Sequence, residues 1–265
     1  MKDAFGILTL NIGNPAVERA ERQLDWLSAR SEDVLVLTET CDSKGTRLIA
    51  ERLAGAGWDV RLPLPADGER GVLVASRVRL AARAGDVTPY LPARAELVGL
   101  AGATLDVIGV YVPSRDESTV KTERKRRFVS ELATALDRRP ERSAVLIGDL
   151  NILEPQHRPR RHEFVDWEYA VYDGLLGAGW LDAYRLAHPD AMEYSWVGHH
   201  DDGYRFDHAF VTSDLRDRVA TCGYAHETRE LGLTDHSAML LELTAIPVER
   251  LEVEASLSGD PMALF

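Results

Sequence analysis

The sequence predicts an α/β fold built on mixed β-sheets, because apolar strand-like runs alternate with helical segments and two such runs also follow each other directly. The apolar, β-rich runs cover residues 5–11, 33–38, 71–76, 104–112, 143–149, 206–212 and 238–244. A further run ends at Gly99, and the tight turn Ala101-Gly102-Ala103 leads from it into the run that starts at Thr104. Such a short connection joins antiparallel neighbours, so we expect antiparallel pairs rather than a purely parallel sheet.

Two segments between these runs have the spacing of amphipathic helices. Apolar side chains recur every three or four residues along residues 15–30 and 117–138, and we expect both helices to cover outer faces of a sheet. From residue 157 to residue 202 the chain looks irregular, so we expect a long functional loop or a local subdomain there. The helical stripes consist of Val17, Ala20, Leu24 and Leu27, and of Val120, Phe128, Leu132 and Leu136.

The length of the chain, 265 residues, fits one large two-sheet domain, and the sequence has neither an internal repeat nor a dividing linker. We therefore expect one catalytic domain at residues 1–245 and an acidic C-terminal tail at residues 246–265. The two cysteines, Cys41 and Cys222, are too few for a disulfide framework or a four-ligand zinc site.

The formal net charge of −12 argues against a protein that coats nucleic acid by bulk electrostatics, because such proteins carry a basic excess. It does not exclude nuclease activity. No run of about 18 apolar residues occurs, and the N-terminus enters a strand without a basic flank and cleavage site. We expect a cytoplasmic protein without membrane contact.

Polar side chains stand at the ends of four predicted strands. Carboxylates that can hold a hard cation, next to groups that can orient water or phosphate, indicate metal-assisted phosphoester hydrolysis. Taken singly, each of these residues is more often a turn or capping residue, and only their joint occurrence favours a site. The residues are Asn11, Glu39, Asp149 and Asn151, together with the sequence Thr234-Asp235-His236.

Six motifs occur in a fixed order: Asn11, Glu39-Thr40, Val110-Tyr111-Val112-Pro113, Gly148-Asp149-Leu150-Asn151, Arg205-Phe206-Asp207-His208 and Thr234-Asp235-His236. This series resembles that of the endonuclease/exonuclease/phosphatase superfamily, and it is most similar to the exodeoxyribonuclease III and abasic-site endonuclease branch. The resemblance spans residues 5–243. It implies a four-layered α/β/β/α sandwich of two packed mixed sheets (DNase I-like), with the site at the top of the two sheets.

The resemblance also implies a site for Mg²⁺ or Mn²⁺. Glu39 supplies the hard carboxylate ligand that such a cation prefers. Asn11 would hold a second position or a metal-bound water beside Glu39. Asp235 is a candidate ligand for a second or transient metal.

Five residues are candidates for the catalytic work. Asp149 would orient and deprotonate the attacking water, and Asn151 would fix water or phosphate with its amide. His236 would contact the scissile phosphate, while Asp207 would hold the other ring nitrogen and favour the imidazolium. Tyr111 would donate a hydrogen bond to phosphate.

Basic residues offer contacts to a nucleic-acid backbone. Lys125 belongs to a basic cluster at residues 121–127, for which an ordinary solvated helix face is an equal alternative. Arg158, Arg160 and Arg161 follow Asn151 closely, which favours a functional role.

Aromatic residues surround the motif Arg205-Phe206-Asp207-His208. In abasic-site endonucleases the matching positions form a small apolar pocket for a flipped, baseless sugar, and such a pocket selects damage by excluding intact bases. Core packing is the alternative explanation. The residues are Trp196, Tyr204 and Phe206.

The leading hypothesis is a Mg²⁺- or Mn²⁺-dependent nuclease of DNA repair, an abasic-site endonuclease or 3′ exonuclease. A phosphoesterase acting on a small phosphorylated metabolite is the alternative, and a non-catalytic binding protein on the same scaffold is a third. We expect a monomer that binds nucleic acid, preferably DNA. The final Met262-Ala263-Leu264-Phe265 weakly resembles peptides that dock on a sliding clamp.

Overall fold

The computed structural model describes residues 4–83, 85–139, 142–198, 202–254 and 256–257. Its strands are β1 (Ala4–Asn11), β2 (Val34–Thr40), β3 (Asp59–Arg61), β4 (Gly71–Ser76), β5 (Leu80–Ala82), β6 (Ala95–Leu100), β7 (Leu105–Tyr111), β8 (Ser143–Asp149), β9 (Trp180–Asp182), β10 (Trp196–Val197), β11 (Gly203–Tyr204), β12 (Asp207–Thr212), β13 (Val219–Ala225) and β14 (Ala238–Thr244). Its α-helices are α1 (Val17–Ser28), α2 (Lys44–Gly55), α3 (Thr119–Arg138), α4 (Asp166–Gly177), α5 (Ala183–Ala187) and α6 (Glu227–Glu230).

Twelve of these strands form two six-stranded sheets. The first has the order β13-β14-β1-β2-β4-β3, and the second has the order β5-β6-β7-β8-β12-β9. β1 and β2 pair in parallel, as do β7 and β8, whereas the other pairs are antiparallel. The expected mixed sheets are therefore confirmed, including the tight connection from β6 to β7.

The two sheets pack face to face and are covered by helices, which confirms the four-layered sandwich. In β2, Val34 and Val36 point into the core between the sheets, whereas Leu35 and Leu37 point to α1 and α2. Helices α3 and α4 cover the second sheet in the same way. Burial on both faces explains why the strands appear as continuous apolar runs rather than as alternating ones.

A glycine sets how closely the sheets approach each other. A Cβ atom at Gly109 of β7 would lie 2.8 Å from Cγ1 of Val36 and 3.0 Å from Cγ1 of Val72, both in the first sheet. A larger residue at this position would force the two layers apart.

The prediction of irregular chain from residue 157 to residue 202 is wrong over much of that segment. It contains α4, β9, α5 and β10. Helix α4 buries Tyr169, Tyr172 and Leu175 at intervals of three residues, but aromatic residues and glycines obscure the helical signal in its sequence. The cluster of Asp166 and Glu168 in its first turn was the available sign of a helix start.

The chain after β14 returns along the body of the protein. Arg250 forms an ion pair with Asp33 at 2.6 Å, and the N–H of Glu254 donates to the carbonyl of Ala56 at 2.9 Å. Leu257 is buried among the residues that pack under α2. The first part of the expected tail therefore packs against the first sheet, while the motif Met262-Ala263-Leu264-Phe265 lies outside the described residues. Within the described part of the chain, no helix is long and apolar enough to cross a membrane.

Candidate active site

Strand ends from both sheets meet at one edge of the sandwich. Tyr111 of β7, Asp149 of β8 and Asp207 of β12 lie side by side, because Asp149 is the register partner of both other residues. Asn11 ends β1 in the first sheet, and His236 precedes β14. The arrangement brings together five residues that lie far apart in sequence.

The backbone around Asp149 is unusual on both sides. Gly148 has φ +149°, and a Cβ there would lie 2.0 Å from the carbonyl oxygen of Val110. Asn151 has φ 48°, and its N–H donates to Oδ1 of Asp149 at 2.9 Å. A glycine is thus required before the aspartate, and an asparagine tolerates the left-handed conformation after it.

Asp149 is buried and bridges the two sheets. Its Oδ2 accepts a hydrogen bond from Nδ2 of Asn11 at 3.0 Å. Burial and the neighbouring Asp207 carboxylate raise the pKa of Asp149 to about 7, although His236 and Asn11 oppose the shift. A carboxylate with this pKa can accept a proton near neutral pH, as a general base requires.

His236 forms a hydrogen-bonded pair with Asp207. The distance from Nδ1 of His236 to Oδ2 of Asp207 is 2.8 Å, and Nε2 lies 4.0 Å from Oδ2 of Asp149. Burial favours the neutral ring, but the charge and hydrogen bond of Asp207 outweigh it and raise the pKa of His236 to about 9. The imidazolium form therefore predominates at neutral pH, with Nε2 directed toward Asp149.

The four candidate residues Asn11, Asp149, Asp207 and His236, which we call the catalytic cluster for the role proposed below, also carry an unsatisfied oxygen. Oδ1 of Asp207 is buried and lacks a hydrogen-bond partner among the described residues. Donor atoms of Asp149, Asp207 and His236 lie within 4.8 Å of one another. A buried carboxylate oxygen without a partner fits a site that receives a cation, water or substrate group.

Glu39 lies at the same edge but outside that group of three donor residues. It has φ 59°, is half-buried, and lies 3.6 Å from Nε of Arg70. The phenol of Tyr111 is hydrogen-bonded to Glu39, while burial and the carboxylates of Asp149 and Glu39 raise the pKa of Tyr111 above its usual range. Tyr111 therefore remains a protonated hydrogen-bond donor.

The other two candidate metal ligands have partners of their own. Oδ1 of Asn11 accepts a hydrogen bond from the N–H of Gly13 at 2.9 Å, so one of its lone pairs is used. Oδ2 of Asp235 accepts from Nε1 of Trp196 at 2.8 Å. Asp235 is exposed at the rim, next to His236. The structure thus gives Asn11 a direct role in holding Asp149.

The three aromatic candidates form one wall beside the catalytic cluster. Tyr204 and Phe206 stack with ring centroids 5.0 Å apart, and Trp196 lies 5.3 Å from Tyr204. Phe164 completes the wall, 5.8 Å from Phe206. These rings line a pocket of about 510 Å³ that reaches Asn151.

Comparison with known families identifies the chain. A model of the endonuclease/exonuclease/phosphatase family matches residues 8–236, which include the whole catalytic cluster. The chain belongs to this family. No curated protein matches the sequence.

Several solved structures have the same fold as this protein. A 3′ phosphatase NExo from Neisseria, bound to a product DNA hairpin, has a TM-score of 0.76 at 24% identity and covers 90% of this chain and 99% of its own. An AP endonuclease from Archaeoglobus fulgidus has a TM-score of 0.78 at 22% identity, with coverage of 91% and 99%. The 3′-5′ exonuclease NExo from Neisseria meningitidis gives 0.78 at 23% identity, with coverage of 91% and 100%.

In this family member, Lys125 differs in burial from the exposed residues of its basic cluster. Its side chain is buried, and Nζ donates to the carbonyl of Asn151 and to Oε1 of Glu168, each at 2.6 Å. Arg115 also pairs with Glu168. Lys125 therefore holds the backbone of Asn151 and lines the pocket. Two of the three hydrogens of its ammonium group are already donated to protein acceptors.

The three candidate arginines differ in exposure. Arg158 and Arg160 are exposed, and Arg160 pairs with Asp166 at 2.7 Å. Arg161 is half-buried, pairs with Asp202 at 2.8 Å and lies over the ring of Tyr204 at 4.6 Å. Arg161 thus secures the pocket wall, while the other two remain available to solvent.

Sequence reasoning missed a group of supporting residues. Arg205 is fully buried and pairs with Glu154 at 2.9 Å and with Asp182 at 2.6 Å. Arg185 pairs with Glu154 from the other side at 2.5 Å. We call these four residues the Arg205 network. The sign of this network in the sequence was Arg205, a charged residue two positions before Asp207 in the same motif.

Proposed function

We propose that this protein is a Mg²⁺- or Mn²⁺-dependent phosphodiesterase that hydrolyses nucleic-acid phosphodiester bonds, with DNA favoured, as an abasic-site endonuclease or 3′ exonuclease in DNA repair. The observation that carries the proposal is the pairing of Asp149, a buried carboxylate with a pKa of about 7, with the imidazolium of His236 at 4.0 Å. A base and a cation at this separation can bind water and a phosphate oxygen side by side.

Each residue of the catalytic cluster has a definable task. Asp149 accepts a proton from the attacking water, and Asn11 fixes the carboxylate through its 3.0 Å hydrogen bond. Nε2 of His236 donates to a non-bridging phosphate oxygen, while Asp207 holds the ring by its other nitrogen. Asn151 donates one amide hydrogen to the carbonyl of Val112 at 3.0 Å, so the second one can reach phosphate.

The oxygen-rich edge fits a hard divalent cation. Glu39 is a half-buried carboxylate at a strand end, Asp207 has a buried oxygen that no described residue contacts by a hydrogen bond, and such oxygen donors suit Mg²⁺ or Mn²⁺. Glu39 would be the main ligand, with the free lone pair of Asn11 and the carboxylate of Asp235 beside it. A bound cation supplies charge neutralisation on phosphate and on the leaving oxygen. The trio of Asp149, Asp207 and His236 is the poorer site, since the imidazolium of His236 has no lone pair to offer a cation.

The aromatic pocket supports a nucleotide substrate. Its volume of about 510 Å³ lies within the range of small-molecule pockets, so it can take a nucleoside as well as a baseless sugar. The structural relatives include a 3′ phosphatase bound to a DNA hairpin, an AP endonuclease and a 3′-5′ exonuclease. Both abasic-site cleavage and 3′ exonuclease action are therefore compatible with this site.

A small phosphorylated metabolite is the second candidate substrate. Its support is the pairing of basic side chains with carboxylates around the site, as in Lys125 with Glu168 and Arg161 with Asp202. Together with a net charge of −12, this pairing leaves few basic groups for a long nucleic-acid backbone.

An incision assay distinguishes these substrates. Wild type and Asp149→Asn would be incubated with Mg²⁺ and two end-labelled duplexes, one intact and one with a single abasic site. An Asp149-dependent cut at the lesion indicates the endonuclease, and a ladder shortening from the 3′ end indicates the exonuclease. Absence of Asp149-dependent cutting on both duplexes would contradict the proposal and favour the metabolite.

A further inference from the structure

Ser195 is a fully buried residue that joins the starts of two catalytic strands. Its Oγ accepts hydrogen bonds from the N–H groups of Phe206 and Asp207, each at 3.0 Å. Its carbonyl oxygen accepts from the N–H of Ser237 at 2.7 Å. One residue therefore holds the backbone next to both members of the Asp207–His236 pair.

These contacts define the geometry of the pair. Asp207 begins β12 in the second sheet, whereas His236 precedes β14 in the first sheet, so no strand pairing aligns one with the other. Their 2.8 Å hydrogen bond depends on how the two strand starts are held. A displacement of about 1 Å is enough to lower turnover strongly in a site of this kind.

The next residue extends the link to the pocket. Trp196 forms an isolated β-bridge with His236, and its indole N–H donates to Asp235 at 2.8 Å. Its ring forms part of the pocket wall, 5.9 Å from Phe206. A group bound against this wall would thus contact Trp196, which is hydrogen-bonded to Asp235 and bridged to His236.

We propose that Ser195 is a positioning residue that aligns Asp207 with His236, and that Trp196 connects the pocket to the same centre. The inference rests on the proposed function, because it assigns the alignment to that reaction. Ser195 touches no reacting atom, and its Oγ holds the backbone of Asp207 and of the wall residue Phe206, so we expect its effect on turnover to exceed its effect on binding. Trp196 lies in the wall, so it affects turnover through its indole N–H and binding through its ring.

The test compares Ser195→Ala, Ser195→Thr and a matched control, Ser76→Ala. Ser76 is also a buried serine whose Oγ accepts a backbone N–H, from Val78 at 2.9 Å, but it lies at the end of β4 away from the site. We expect Ser195→Ala to lower kcat about tenfold or more with KM within about twofold, and the Thr variant, which keeps the hydroxyl, to recover most of kcat. Ser76→Ala should lower the urea midpoint while kcat stays at the wild-type value.

Trp196→Phe tests the second half of the proposal, because it keeps an aromatic wall and removes the indole donor. We expect a smaller fall in kcat than for Ser195→Ala, with KM changed less than about threefold. A raised KM with wild-type kcat would overturn the link to the centre and leave Trp196 as a wall residue.

The outcomes separate this inference from the proposed function. Activity is measured on the abasic and intact duplexes, at a temperature where circular dichroism shows each variant folded, and Ser195→Cys replaces Ser195→Ala if the latter does not fold. Active wild type with an equally active Ser195 variant would overturn the positioning role alone. Wild type that cuts neither duplex would overturn the proposed function.

Discussion

The catalytic cluster and the Arg205 network lie next to each other and are both buried, yet their charges are balanced differently. In the network, two arginines face two carboxylates, and hydrogen bonds from Arg185 together with the charge of Arg205 outweigh burial and lower the pKa of Glu154 to about 2. In the cluster, Asp149 and Asp207 share His236 as their nearest cation, and the pKa of Asp149 rises to about 7.

The difference shows what separates a carboxylate that stays ionised from one that can exchange a proton near neutral pH. Burial acts in both places and by itself raises the pKa of each carboxylate. The arginines that pair with Glu154 outweigh this effect, whereas Asp149 has a second carboxylate, Asp207, beside it and only His236 to oppose the shift. A carboxylate with full compensation stays ionised over the physiological pH range, whereas an undercompensated one can exchange a proton near neutral pH.

The largest expected effect is the loss of turnover in Asp149→Asn. The amide cannot accept a proton from water, so we expect kcat to fall by about 10²–10⁴-fold. The free energy of unfolding should stay within about 1 kcal/mol of wild type, because the substitution removes an undercompensated buried charge. Steady-state rates and urea unfolding measure the two quantities. Turnover near the wild-type value would show that Asp149 is not the general base and that the two charge groups do not differ in the proposed way.

Arg205→Met should show the opposite behaviour. It leaves Glu154 and Asp182 without their shared buried cation, so we expect the free energy of unfolding to fall by about 3–5 kcal/mol. The control is Arg47→Met, which breaks the exposed pair with Asp42 and should cost less than about 1 kcal/mol. Equal losses in the two variants, measured by urea unfolding, would refute a special role for the network.

Acid should weaken the network before it affects packing. The pKa of Glu154 in the folded protein, about 2, lies below its ordinary 4.5, so its stabilisation is complete above pH 4.5 and is lost as the pH falls from 4.5 to 2. The ionised form of Glu154 thereby contributes about 3 kcal/mol to the free energy of unfolding, and this contribution is what acid removes. Urea unfolding between pH 5.5 and 2 should show a steeper loss for wild type than for Glu154→Gln. Parallel curves would show that Glu154 does not titrate in this range.

The smallest effect should come from exposed charges. Arg158→Ala combined with Arg160→Ala should change the free energy of unfolding by less than about 0.5 kcal/mol. If DNA is the substrate, the slope of log affinity against log salt should become shallower by about 1 to 2, since each phosphate contact releases a counterion. An unchanged slope in a binding titration would indicate that these arginines do not contact the backbone.

The sequence predicted the strands better than the helices, and it did not predict the residues that hold the site in place. Seven apolar runs became β1, β2, β4, β7, β8, β12 and β14 because burial on both faces leaves a continuous signal. Helix α4 went unrecognised because its buried face is partly aromatic. Ser195 and Lys125 could not be assigned their positions, because a serine or a lysine in sequence does not reveal which distant backbone groups it will contact.

The sequence by itself determined the strands of the mixed sheets and the polar residues at their ends, because apolar runs and strand termini are local properties, and the ordered motifs supplied the sandwich through their resemblance to a family. Only the tertiary structure decided the chemistry of those residues. Asn11 and Asp149 are 138 residues apart, and the pKa of Asp149 depends on burial and on Asp207 and His236 from other strands. Protonation is set by the sum of fields from groups that folding brings together, and that sum is not a property of any segment of the chain.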